Sequence, residues 1–523
     1  MSAARKIAVI DSETDPFKRD RIPEPFIWGF KDAERFLLFR ETSSIIDFLR
    51  DQRIVVYAHN GGKFDYHFVL RYLPEFAEVK IISGRLVSFT IGECEFRDSM
   101  SILPIALVEY QKDEFDYAKM EKNVRAKHMP EIEAYLKSDC ENLFSLVSTF
   151  RDNYGAHLTL AGSAMAQWRK IAGKVPNLGE TYHAVFQPFY FGGRVEFYRR
   201  GIIEDPVEIA DINSAYPFAM LHEHPYGENY ETSDNPTNAE INAADFLTLT
   251  APGNGAFAFR NDDHSTSFPN DGDLYTFNTT KWEFRAALDN GLNQNDFIVS
   301  KTFRFYEHID FRPYVEKWFA VKNAAKESGD KANYLIAKLF LNSLYGKFGA
   351  NPERYKEHII LSPDLVEASE IDEYKFGGML GPWALMERPL AEEKRRYYNV
   401  ATAASITGFV RAVLYRALRS VENPLYCDTD SITYAGKSGL TIGPEIGKWE
   451  IEGRSNYGAI VGKKLYAFKL ETSEWKIATK GARLTPQEII EIAKGGEITW
   501  KNDAPTFSPH KAPYFLARRI KQV

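Results

Sequence analysis

Asp11 and Glu13 close the apolar run Ile7 to Ile10. The two-residue period of a strand turns both carboxylates to one face, where a hard cation can sit. Asp65 follows in HNGGKFD, and Asp139 ends YLKSD, four residues after Tyr135 and so on the same helix face. If the three segments converge, their acids could hold two Mg²⁺ ions about 3.5 to 4 Å apart. That arrangement activates water and stabilises the leaving oxygen in phosphodiester hydrolysis, with Tyr135 orienting the water. Taken alone, a D-x-E pair is also what solvated acids at a strand end look like. The ordered set of three segments carries the reading.

A second set lies further along. Asp211 stands in DINSAYP after a short apolar stretch, and Asp428 and Asp430 flank Thr429 in YCDTDS at the turn of a strand pair. Acids this dense between strands are costly unless something positive sits among them, although DTD alone is also an ordinary polar turn. Between the two segments, KLFLNSLYGKFG places Lys338, Asn342 and Tyr345 at i, i+4 and i+7 on one helix face. Lysine is seldom buried unpaired, so this face reads as nucleotide-facing: Lys338 meets a triphosphate and Tyr345 packs near a new base pair.

The elements that must position these residues follow from the pattern. Residues 1 to about 150 alternate short apolar strands (6–10, 54–57, 79–82, 86–91) with helical stretches, as an α/β domain does. Residues 222–300 are rich in Asn, Asp, Pro and Gly and read as an irregular insertion. A helical pattern runs from Pro313 to Tyr345 with a break near Gly329, and residues 351–399 lose their period again, reading as a projecting hairpin or loop. A helix over 399–418 and a strand, turn and strand over 425–434 complete the framework before the basic end of Arg518, Arg519 and Lys521.

Composition sets the bounds. With 523 residues, 44% hydrophobic and 26% charged, the chain is expected to be soluble, ordered and multidomain. No run approaches a membrane span and the amino terminus lacks a signal core, so the expected compartment is the cytoplasm. Cys94, Cys140 and Cys427 form no CxxC pair and imply neither disulfides nor zinc. A net charge of −7 leans against a nucleic-acid binder. Metal sites built from carboxylates, however, can make a chain acidic while its DNA groove is locally basic.

In order, D-x-E (Asp11, Glu13), N-x-x-x-F-D (Asn60, Phe64, Asp65) and Y-x-x-x-D (Tyr135, Asp139) resemble the three exonuclease motifs of proofreading family B DNA polymerases. The later segments D-x-x-S-x-Y-P, K-x-x-x-N-S-x-Y-G and Y-x-D-T-D-S resemble motifs A, B and C of the same family. The chain's short length is similar to the protein-primed branch. YFGGR (Tyr190, Gly192, Gly193) resembles that branch's Y-x-G-G template-contacting linker, KKLYAF (Lys464, Tyr466) its K-x-Y primer motif, and DSMSIL (Ser99, Met100) its single-strand ligand with Met in place of Leu. Lys112 resembles its exonuclease lysine and Lys322 its second triphosphate lysine. The runs YAHNGGKFD, NVATAASITG and PLYCDTDSI look most like the enzymes of tectivirus-type phages.

The resemblance implies an α/β multidomain fold: an RNase H-like exonuclease domain over 1–150, then a right-hand polymerase over 151–523. Its palm would be 151–221 and 400–481, its first insertion 222–312, its fingers 313–350, its second insertion 351–399 and its thumb 482–523. It implies DNA-directed DNA synthesis with strand displacement and 3′–5′ proofreading, with two Mg²⁺ per site, Mn²⁺ able to substitute. Asp211, Asp428 and Asp430 would hold the metals of synthesis, and Asp11, Glu13, Asp65 and Asp139 those of hydrolysis. Ser214, Ala215, Tyr216, Lys322, Lys338, Asn342 and Tyr345 would bind the nucleotide. Thr14, Asn60, Phe64, Ser99, Met100, Tyr190, Gly192, Gly193, Thr429, Lys464 and Tyr466 would bind DNA. Partners would be template and primer DNA, deoxynucleoside triphosphates, a terminal priming protein touching the first insertion and a single-stranded DNA-binding protein, around a monomer in the host cytoplasm. The rival readings are a nuclease with a decayed polymerase half and a non-enzymatic priming partner. The intact Asp211, Lys338, Asp428 and Asp430 oppose the first, and seven acids placed as metal ligands oppose the second.

Overall fold

A computed structural model describes residues 5–366 and 373–521. The N-terminal strand Lys6–Thr14 pairs parallel with Ile54–Ala58 and antiparallel with Pro25–Lys31, at the heart of a ten-stranded sheet. It runs past Asp11 and Glu13, so both acids lie within the strand rather than at its end. A 30-residue helix, Arg125–Tyr154, packs across this strand and brings Tyr135 and Asp139 to it. This helix carries the chain past residue 150, the boundary expected from pattern alone.

The second large sheet has the hairpin Val421–Asp428/Ser431–Ser438 beside Val207–Ile212. Asp211 sits opposite Ser431 in that register, and Ile212 N donates to the Asp430 carbonyl at 2.8 Å. These pairings draw Asp211 against the DTD turn. Over it lie the helices Arg312–Ser328 and Lys331–Phe348, broken at Gly329, whose φ of +74° ends the first helix in the left-handed region that glycine adopts without strain. The helix Val400–Ser420 runs underneath, almost wholly buried.

Both segments read as irregular are ordered β-structure. Residues 224–309 build a four-stranded antiparallel sheet, His224–Asp234, Ile298–Ile309, Phe246–Pro252 and Leu274–Thr280, with capped helices Asn238–Ala243 and Lys281–Asp289. Its Asn, Asp, Pro and Gly fall within the strands as well as in the turns, as Pro225, Gly227, Asn229 and Asp234 do in His224–Asp234, which hid the strand period. In the second segment, Lys356–Leu361 pairs with Phe76–Ile82, and Lys375–Leu380 and Trp383–Pro389 extend the same sheet. Ile360, Leu380 and Leu385 are fully buried in the core of the N-terminal domain. The expected projecting hairpin or loop is thus a hairpin over 375–389 that joins a sheet and contributes to the core; residues 367–372 lie outside the described residues. A strand added to an existing edge needs only a few apolar residues of its own, which leaves little periodic signal.

Residues beyond 482 form the helix Pro486–Ala493 and two small hairpins. The second hairpin reaches back. Met379 N donates to the His510 carbonyl, and Phe507 packs on Phe64 and His67 with ring centroids 5.8 and 4.8 Å apart. All three cysteines are buried and free.

Candidate active sites

In the N-terminal domain, Glu13, Asp65 and Asp139 are almost fully buried and Asp11 is partly so. Burial, with repulsion from Asp65, Glu13 and Asp139, holds the Asp11 carboxyl well above the usual range. Burial and Asp139 push Glu13 up to about 8. Asp65 rises to about 6, chiefly by burial, against a hydrogen bond from Ser12 Oγ at 2.5 Å. Lys112 Nζ lies 3.1 Å from Asp139 Oδ2 and 5.6 Å from the Tyr135 ring centre. The Tyr135 hydroxyl meets that of Tyr117 at 2.9 Å, and burial raises its pKa. One cation thus faces four acids.

The donor set is all oxygen, and Asp139 Oδ1 is buried with no hydrogen-bond partner. Both features suit a hard divalent cation. Among the described residues, however, no group of three or more acidic, His or Cys side chains is already closed into a ligand cage.

The surrounding residues divide. Asn60, at φ +63°, accepts from Arg85, which also bonds Asp98 Oδ2. Phe64 joins an edge-to-face cluster with Phe17 and Phe68. Thr14 is buried, its hydroxyl bonded to the Asp15 carbonyl. The Ser99 hydroxyl is fully buried against the Ala58 carbonyl and His59 Nδ1 and braces the loop, whereas Met100 beside it is only partly buried.

In the second centre, Asp211, Ser214, Ala215, Tyr216, Lys322, Lys338, Asn342 and Asp430 line one cleft of about 180 Å³, together with Ile212 and Leu341. The Tyr216 and Tyr345 rings stack with centroids 4.1 Å apart. Burial, then Asp430, pushes Asp211 up to about 7; burial raises Asp430 to about 6. Burial and the neighbouring Lys338 lower the pKa of Lys322. Two acids and two lysines therefore face each other across a space of nucleotide-fragment size. Lys464 Nζ bonds both oxygens of Asp428 at 2.8 and 2.7 Å, and Tyr466 packs on Tyr426. Tyr190 packs against Gly349 at the end of the Lys338 helix, where a Cβ would come within 2.5 Å of its ring. Gly193 abuts Thr429, and Gly192 lies open beside it.

Sequence reasoning passed over Ser12, Tyr117 and Arg85, which hold Asp65, Tyr135 and Asn60. Only Ser12, set between the two acids of D-x-E, carried any signal.

Residues 104–379 match the family model described as DNA polymerase type B, organellar and viral. The chain is 36% identical to the DNA-directed DNA polymerase of Enterobacteria phage PRD1, across 99% of this chain and 98% of that one. The chain belongs to the type B DNA polymerases. Within them it falls in the protein-primed, tectivirus-type phage branch that its motifs resemble. The polymerase is also 25% identical to the DNA polymerase of Streptococcus phage Cp-1, over 90% of its own length and 89% of the relative's. Its fold matches phi29 DNA polymerase complexed with primer-template DNA and incoming nucleotide, with a TM-score of 0.73, 16% identity and coverage of 99% and 100% of the two chains. The α/β multidomain architecture expected from the motifs is thus present over the full length. Among the described residues of the polymerase, no helix is long and apolar enough to cross a membrane.

Proposed function

We propose that this DNA-directed DNA polymerase combines two centres, one for templated nucleotide addition and one for 3′–5′ removal of mispaired ends. The observation that carries the reading is the cleft that joins Asp211 and Asp430 to Lys322, Lys338, Tyr216 and Asn342. Divalent cations, Mg²⁺ with Mn²⁺ able to substitute, would supply the Lewis acidity that readies a 3′ hydroxyl or a water and neutralises the leaving oxygen, two at each centre.

For addition, Asp211, Asp430 and Asp428 would be the ligands. Lys322 and Lys338 grip the triphosphate oxygens with charge-assisted bonds. Tyr216, backed by Tyr345, lies under the sugar, with Ser214, Ala215 and Asn342 around it. Lys464, bonded to both oxygens of Asp428, steadies the primer end with Tyr466; Tyr190, Gly192, Gly193 and Thr429 guide the template. Catalysis is then positioning and charge compensation.

For removal, Asp11, Glu13, Asp65 and Asp139 would be the ligands. Lys112 offsets part of their repulsion, and Tyr135 orients the water. Thr14, Asn60, Phe64 and Met100 hold the frayed strand by stacking and backbone contacts, which accept any base. The bonds between the 375–389 hairpin and the His510 loop support a closed path around duplex DNA, and with it strand displacement. A terminal protein would dock on the 224–309 sheet, and a single-stranded DNA-binding protein would cover the displaced strand. We assign the chain through the end of the helix Arg125–Tyr154 to the exonuclease, 155–221 and 400–481 to the palm, 313–350 to the fingers and 482–523 to the thumb.

A labelled primer–template with Mg²⁺ tests the pair of activities: extension with nucleotides and 3′ degradation without them are expected. A chain that extends but never shortens the primer would remove the second centre from this account.

A further inference from the structure

Arg411 lies in the middle of the buried helix Val400–Ser420 and is 2% exposed. Its Nε and Nη2 donate to the two carboxylate oxygens of Glu283, at 2.7 and 3.0 Å, and Glu283 is itself 3% exposed. The remaining edge of the guanidinium does not face solvent. Nη1 donates to the carbonyls of Phe191 at 2.8 Å and Gly192 at 3.0 Å, and the cation lies 5.5 Å from the Phe191 ring centre. Glu283 is fixed in turn, because its carboxylate caps the helix Lys281–Asp289 through Thr280. Gly408 allows that contact: a Cβ there would come within 2.4 Å of Thr280 Oγ1.

The loop that Arg411 holds is the one that touches the DTD turn. Gly193 follows Gly192 directly, and a Cβ on it would fall 2.6 Å from Thr429 Oγ1. The next carbonyl, of Arg194, accepts the Thr429 N–H at 2.7 Å. Thr429 has φ of +61°, a left-handed conformation that a β-branched residue holds only when its surroundings impose it. The imposing contacts come from this loop. Arg194 is tied down as well, through Gly255 O at 2.7 Å and Glu196 at 2.5 Å.

A buried ion pair is a poor way to gain stability, since well-packed apolar residues often serve as well. What it supplies here is direction: four acceptor atoms from two other segments held by one planar group.

We propose that Arg411 is a positioning residue for nucleotide addition, acting through the Phe191–Arg194 loop to hold Asp428 and Asp430 in register with Asp211. Arg411 touches neither nucleotide nor DNA in this reading. Lys322 and Lys338, which face the nucleotide cleft, are not part of its contacts.

The decisive comparison uses Arg411→Met/Glu283→Met, which replaces the pair by apolar groups of similar length, beside Arg411→Lys, which keeps the charge and loses the fork. Melting temperature and single-turnover nucleotide addition at saturating primer–template are measured for each. The double variant leaves the Phe191 and Gly192 carbonyls and the Thr280 cap without partners and should melt below the parent. Assayed at a temperature where every variant is fully folded, its maximal rate should still fall about tenfold or more, as small misplacements of reacting groups do, with the half-saturating nucleotide concentration unchanged. Arg411→Lys should restore part of the rate. A double variant that adds nucleotides at the parent's maximal rate, rates that merely follow the melting temperatures across the variants, or a loss expressed only in the half-saturating concentration would each overturn the proposal.

Discussion

Glu13→Gln should make the metal-free protein more stable at alkaline pH. Glu13 is 7% exposed among Asp11, Asp65 and Asp139. Its carboxyl is pushed from an ordinary 4.5 to about 8 by burial first and by Asp139 second. A carboxyl raised on folding leaves stability intact below its unfolded value and removes it as pH rises through the folded value. The window is therefore pH 4.5 to 8. At about 1.4 kcal/mol for each pH unit, the full loss is on the order of 5 kcal/mol, of which about 1 is already present at pH 5.5. Relaxation and water entry reduce this, so a gain of roughly 1–3 kcal/mol at pH 8.5 is expected for Glu13→Gln. The assay is thermal unfolding of parent and variant in chelator at pH 5.5 and 8.5, repeated at pH 8.5 with Mg²⁺. The variant's advantage should appear at 8.5, shrink at 5.5, and narrow when Mg²⁺ stabilises the parent. An equal advantage at both pH values, or none, would refute the charge-crowding argument.

Other outcomes follow from other contacts. Tyr216→Val removes the ring stacked on Tyr345 and should raise ribonucleotide use by tenfold or more at similar deoxynucleotide efficiency, read as the ratio of kcat/KM values; a sugar clash can supply discrimination on the order of 1–3 kcal/mol. Gly378 has φ of +137°, and a Cβ there would meet the His510 carbonyl at 2.2 Å. Gly378→Val should therefore part the 375–389 hairpin from the His510 loop, shortening products made under a DNA trap while single-nucleotide addition persists. His224 is fully buried between Ser405 Oγ and the Ala219 carbonyl, and burial lowers its pKa to about 3. Its stabilising state is complete above pH 6.5 and lost on acidification, at about 2 kcal/mol by pH 5; His224→Gln should flatten the acid limb of a stability-versus-pH curve.

What the sequence made legible was local and periodic. Asp11 and Glu13 two apart, Tyr135 and Asp139 four apart, and Lys338, Asn342 and Tyr345 along one helix face each need a single element, and each lies on the strand or helix expected. The break at Gly329 and the Asp428–Asp430 turn were visible for the same reason. Contacts between distant segments were hidden. Nothing in Lys356–Leu361 announces that it pairs with Phe76–Ile82, or that the hairpin expected to project shares the N-terminal core. Ser99 was read from a motif, but its burial against His59 and Ala58 depends on strand placement that no spacing encodes. Nothing in the spacing around Arg411 pointed to its partners, because Glu283 and the two loop carbonyls come from distant segments.

The central claim is that two carboxylate centres act independently. One measurement reaches it most directly: a 5′-labelled primer–template incubated with Mg²⁺, with and without nucleotides, using Asp11→Ala/Glu13→Ala and Asp430→Ala beside the parent. The first variant should extend at the parent rate and leave single strands intact, and the second should degrade single strands at the parent rate and add nothing. Degradation at the parent rate by Asp11→Ala/Glu13→Ala, or loss of both activities in either variant while it remains folded, would contradict it.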